Sequence, residues 1–142
     1  MANPVGTRDL VLHVDGTDFS DSVKMATVKS RKADGGFGSF AEVRAGGPRE
    51  YYLALTIRQD TDASTLHDYI WSQLGSEQDV EVWPHGYNGG TATTAYPQYT
   101  GTVIISEPDG DVLGGEANES PRARWSSEVE WVFLVKPTKV TA

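Results

Sequence analysis

A period of two constrains this chain more than any other feature. In "EYYLALTIRQ", Tyr51, Leu53, Leu55 and Ile57 alternate with Tyr52, Ala54, Thr56 and Arg58. An extended chain carrying that pattern shows one apolar face and one mixed face. The alternation recurs in "DLVLHVD" (Leu10, Leu12, Val14), in "SVKMATVKSRK" (Val23 and Met25 against Lys24 and Ala26) and in "DVEVW" (Val80, Val82). It returns in "YTGTVIIS" (Tyr99, Val103, Ile105) and in "RWSSEVEWVFLV" (Trp125, Val129, Trp131, Phe133, Val135 against Glu128 and Glu130). β-Branched and aromatic residues fill these runs, and turn residues bound them.

One segment has a helical period instead. "DTDASTLHDYIWSQLG" places Leu66, Tyr69, Ile70 and Leu74 on a single stripe, with Asp62 or Ser64 as cap and Gly75 as terminator. Strands, one helix and more strands predict a mainly β fold. We expect an antiparallel β-sandwich or barrel with one flanking α-helix, and a single domain over residues 1–142. The core face falls to Leu53, Leu55, Ile57, Leu66, Ile70, Val103, Ile105, Trp131 and Phe133.

Three connections are too long for a minimal sandwich: residues 33–49, 84–96 and 107–124. The first holds five glycines together with Phe37, Phe40 and Val43. Glycine leaves such a segment free in solution, whereas the aromatic residues supply apolar anchors that a solvated loop does not need. An arm that meets a partner is one reading, its anchors being Phe37, Phe40, Val43 and Arg44, and it is the reading that the resemblance described below implies. Lys29, Arg31, Lys32 and Arg49 bracket it with positive charge. The competing reading is a loop folded back over its own core.

The net charge of −8 is uneven. Residues 1–50 balance seven acids with seven bases, and residues 51–142 set thirteen acids against five bases. That acidic stretch argues against phosphate binding. There is no cysteine, hence no disulfide or thiolate chemistry. No apolar run approaches the roughly 18 residues of a membrane span. The start, "MANPVGTRDL", lacks the basic-then-apolar order of a signal peptide, so synthesis in a cytoplasm is expected.

Catalytic motifs are missing. His13, His67 and His85 have no metal-ligand spacing and read as a strand residue, a helix-surface residue and a loop residue. "EPDGDVLGG", with Asp109 and Asp111, reads as a turn in preference to a cation loop. We expect no enzyme, no metal and no cofactor.

In order along the chain stand "VEVWPHG", "YPQYTGTVIISEPDGDVLGG" and "SSEVEWVFLVKPTKV". Together they resemble the major tail tube proteins of long-tailed bacteriophages. The resemblance covers the second half of the chain, and the first half shares only its layout. It implies a structural virion protein that forms hexameric rings stacked into the tail tube. It also implies a location in the virion tail and other tail proteins as partners: tape measure, tail terminator and distal tail protein. DNA would pass through the tube without specific binding. On this reading Glu128 and Glu130, or Thr100 and Thr102, are candidates for a polar sheet face along the lumen. The alternatives are another tail component, such as a tail terminator, or a β-sandwich module binding carbohydrate or protein through Trp83, Tyr87, Tyr96 and Trp125.

Overall fold

The computed structural model describes residues 2–33, 38–46 and 49–141. The alternating segments become two antiparallel sheets. β1 (Val11–Val14), β2 (Thr17–Asp18), β5 (Glu77–Trp83), β6 (Gln98–Ile104) and β8 (Thr138–Val140) form a five-stranded sheet in the order β2-β1-β5-β6-β8. β3 (Val23–Lys32), β4 (Arg49–Arg58) and β7 (Ser126–Val132) form a three-stranded sheet in the order β3-β4-β7. The flanking helix is α2 (Leu66–Ser72), and a shorter helical turn, α1 (Phe40–Arg44), lies within the 33–49 segment.

Register decides which side chains meet between the sheets. Leu53, Leu55 and Ile57 of β4 stand opposite Trp131, Val129 and Ser127 of β7. Val80 and Val82 of β5 stand opposite Val14 and Leu12 of β1. These apolar residues form one core with Phe19, Val103, Ile105 and Phe133, and Leu66 and Ile70 of α2 close it. All nine core residues expected from the pattern are buried. The sheets join along one side, where Phe133 bridges Val103 and the Leu134 N–H donates to Thr102 O. There Trp131 Nε1 donates to Ser106 O at 3.0 Å and Ser106 Oγ donates to Glu130 O at 2.9 Å.

Simple alternation fails in three places. A bulge between Val23 and Met25 shifts the β3 register, so Val23 and Ala26 pack on the core and Met25 turns out to solvent. One extra residue in a strand inverts every later side chain, which is why Met25 does not share a face with Val23. At the ends of the β7 pattern, Trp125 and Val135 are exposed, because pairing to β4 covers only 126–132. The helix also starts later than the Asp62 or Ser64 cap predicts. Asp62 spends its carboxylate on the N–H and hydroxyl of Ser64, leaving Thr65 at the N-cap. At its other end α2 stops at Ser72, short of Leu74, which is exposed.

Candidate assembly surfaces

The β3–β4 hairpin stays paired out to Lys32 and Arg49, so the long connection springs from a firm base. Arg31 Nε meets Glu50 Oε2 at 2.6 Å, its guanidinium lies 4.2 Å from the centre of the Tyr52 ring, and its Nη1 stands 3.6 Å from Glu130 Oε1. Hydrogen bonding to Glu50, with the charge of Glu130 adding to it, holds the Arg31 guanidinium above its usual range. Arg49 donates to Ser30 Oγ at 3.0 Å. Arg31 and Arg49 are thus engaged within their own hairpin, while Lys29, Lys32 and Arg44 stay exposed.

Beyond this base the chain turns into α1. Phe40 is 90% exposed and Val43 is 64% exposed. At i and i+3 they share one face of the turn, with Arg44 exposed beside them. For these residues the folded-back reading fails: neither packs on the core. Phe37 lies outside the described residues.

The four polar residues considered for a lumen separate onto two sheets. Glu128 and Glu130 alternate with the buried Val129 and Trp131, so they lie on the outer face of the three-stranded sheet. Lys29 and Arg31 share that face, and Arg31 binds Glu130. Thr100 and Thr102 lie on the outer face of the five-stranded sheet, opposite Glu81 and Asp79. Thr102 Oγ1 donates to Asp79 Oδ1 at 2.8 Å, and Gln98 donates to Glu81. With Glu77 in the same alternation, β5 carries an acidic stripe that no lysine or arginine of β5 or β6 offsets. The sequence pattern of β5 contains this stripe: Asp79 and Glu81 lie within the run "DVEVW", and Glu77 extends the alternation two residues before it.

The same outer face is partly roofed. Tyr87, from the 84–96 segment, stacks 4.5 Å from His13 and 5.1 Å edge-on from Trp83. Trp83 is only 1% exposed, although it points away from the main core. Four aromatics therefore do not make one binding platform. Trp83 is covered by Tyr87, and Trp125 belongs to the three-stranded side, where its Nε1 donates to Glu116 O at 2.8 Å. The clefts around Trp125 are open; one of about 520 Å³ is lined by Arg58, Gln59, Asp60 and Arg124.

The 107–124 connection is tied down at several points. Gln59 donates to Gly114 O at 3.2 Å and accepts from Gly114 N at 2.7 Å, and its Nε2 also reaches Ser127 Oγ at 3.2 Å. His67, expected at the helix surface, is half-buried with both ring nitrogens engaged. His13 lies on β1 and His85 in a turn, as their sequence context suggests. Asp109 and Asp111 are exposed, and among the described residues no group of three or more His, Asp or Glu is arranged to hold a metal ion. Among these residues, too, no helix is long and apolar enough to cross a membrane.

Compared with known protein families and with curated proteins, the chain matches none.

Proposed function

We propose that this chain is a structural subunit of a phage tail tube, assembling as hexameric rings that stack into a conduit for DNA. One observation carries the reading: Phe40 and Val43 stand exposed on a helical turn at the end of a firmly paired hairpin. Apolar side chains held out on a defined turn lose area to water only when another molecule covers them. The occupant in this reading is the adjacent subunit.

β3 supplies a second contact. It is a ten-residue edge strand, with β4 on one side and no partner strand on the other among the described residues. An edge of that length is either blunted or paired, and β-augmentation by a neighbour pairs it. β7 suits this role less, because Ser106 and Phe133 already join its far side to β6. We assign the lumen to the outer face of the five-stranded sheet, where Glu77, Asp79 and Glu81 repel phosphate beside the uncharged Thr100 and Thr102. Glu128 and Glu130 then face away from the lumen. The protein acts in the virion tail, between tape measure, tail terminator and distal tail partners.

Negative-stain microscopy of concentrated protein tests the reading. Hollow tubes or six-fold rings support it, and a steady monomer at all concentrations contradicts it.

A further inference from the structure

His67 stands in the first turn of α2, with Nδ1 3.0 Å from the carbonyl oxygen of Asp60 and Nε2 2.7 Å from that of Val112. Carbonyl oxygens only accept. A neutral imidazole has one N–H, so it satisfies one of these carbonyls and turns a nitrogen lone pair toward the other. Only a ring with hydrogen on both nitrogens donates to both. The two carbonyls lie far apart in sequence: Asp60 follows β4, and Val112 is inside the connection from β6 to β7.

Charged groups of both signs lie on the elements packed against the ring. On its own helix the neighbour is Asp68. On the β4 side the Asp60 carboxylate meets Arg58 at 3.5 Å and accepts the Asp62 N–H at 3.0 Å. On the connection, Glu107 lines the same small cavity as His67, ahead of Asp109 and Asp111, and no lysine or arginine lines that cavity among the described residues.

We propose that His67 is a proton-dependent clamp on the acidic 107–124 connection. With both nitrogens protonated, the ring ties Val112 to the segment before α2. When the ring loses a proton, one of the two bonds is lost and the connection loosens around Val112. The second bond is therefore present at lower pH and lost as pH rises. Gln59 and Trp125 still hold Gly114 and Glu116, so the response is local loosening and not release. The connection carries Glu107, Asp109, Asp111, Glu116 and Glu119, and the clamp sets how firmly this charge is placed. The inference rests on the fold alone and is independent of the assembly reading.

The test uses the full chain between about pH 5.5 and pH 8, a window in which an imidazole titrates and ordinary carboxylates do not. Long-range ¹⁵N–¹H spectra of the side chain report His67 protonation. The carbonyl ¹³C shifts of Asp60 and Val112 report the two hydrogen bonds. We expect both His67 nitrogens to be protonated at the acid end, and one of the two carbonyl shifts to move upfield as the ring loses its second proton. In His67→Gln this movement should vanish. A single neutral tautomer at pH 5.5, pH-independent Asp60 and Val112 carbonyl shifts in the wild type, or an unchanged pH response in His67→Gln would each overturn the clamp. Should that variant not fold, the wild-type ring spectrum alone decides.

Discussion

Phe133 lies across Gly101 so closely that a β-carbon on residue 101 would stand 2.8 Å from its Cδ1 and 2.9 Å from its Cε1. Gly101 pairs with Val80 in the centre of the five-stranded sheet, and Phe133 comes from the strand end that bridges back to Val103. The missing side chain on β6 is therefore where the two sheets close on each other. Gly101→Ala forces the ring out of its place, and overpacking of this kind costs about 1–3 kcal/mol. Denaturant unfolding should show a lowered midpoint. Adding Phe133→Leu should recover part of the loss, so the double mutant will fall short of the summed singles.

Gln59 holds Gly114 by a reciprocal pair of hydrogen bonds while reaching the buried Ser127. Gln59→Ala leaves those groups without their partner, at a cost of about 1–3 kcal/mol. Hydrogen exchange should accelerate at Gly114 and hold steady along β4. Equal loss of protection in both places would mean that Gln59 supports the whole sandwich, not the connection.

Legibility in the sequence follows the physics of each element. β4 and β7 could be read because alternation there is unbroken and each has one face in the core, as Leu53, Leu55, Ile57, Val129 and Trp131 attest. β2 escaped notice because two residues carry no period. Its signal was the dipeptide Asp15-Gly16, whose positive φ values of 52° and 77° make the tight hairpin turn. β8 is nearly as short, at three residues. The bulge at β3 leaves no mark in an alternating pattern, which only register reveals. That Phe40 and Val43 stay off the core was legible, because apolar residues inside a glycine-rich segment have no local use. His67 was not: its partners are backbone carbonyls, and one of them is 45 residues away.

Asp62 accepts hydrogen bonds first from the backbone N–H of Ser64 and then from its hydroxyl, and these hold its carboxyl below the usual range. A carboxylate lowered in the folded state stabilises above its unfolded value of about 3.9, and that stabilisation is lost as pH falls through the folded value. Acidification should loosen the turn before α2, read as faster normalised exchange at Ser64 and Thr65. Asp62→Asn should flatten this acid response. An unchanged response in the variant would assign it to another carboxylate, with Asp18 the next candidate. There burial works upward, but hydrogen bonds from the Ser20 hydroxyl and N–H, with nearby His13, outweigh it and lower the carboxyl.

If the outer face of the five-stranded sheet lines a DNA path, its charge should be replaceable only at a functional cost. Wild-type protein should not retain duplex DNA at physiological salt, whether isolated or assembled. Glu77→Lys with Asp79→Lys turns the exposed part of the stripe basic, and retention should then appear and fall steeply with added salt. Electrophoretic mobility shift across a salt series measures it. Retention by the wild type, or its absence in an assembled double variant, would count against placing this face on the lumen.

If the 33–49 segment connects subunits, it gives the sharpest separation between folding and assembly. Phe40 and Val43 lie outside the core cluster, and the core is filled by β1, β4, β5, β6, β7 and α2 residues without them. Phe40→Ser with Val43→Ser should therefore leave monomer stability within about 0.5 kcal/mol, the usual range for exposed positions. Assembly should respond differently. An anchor buried at an interface is typically worth about 2 kcal/mol or more when truncated, and a stacked ring repeats each contact at every subunit. Sedimentation velocity should show the wild type forming large species while the double variant remains a monomer with an unchanged melting transition. Phe37→Ser with Phe40→Ser should behave likewise if Phe37 shares the contact. Tubes of normal length from the Phe40/Val43 variant would remove the arm as connector and leave the β3 edge to carry assembly. A variant that unfolds as a monomer would instead show that the 33–49 segment supports its own subunit.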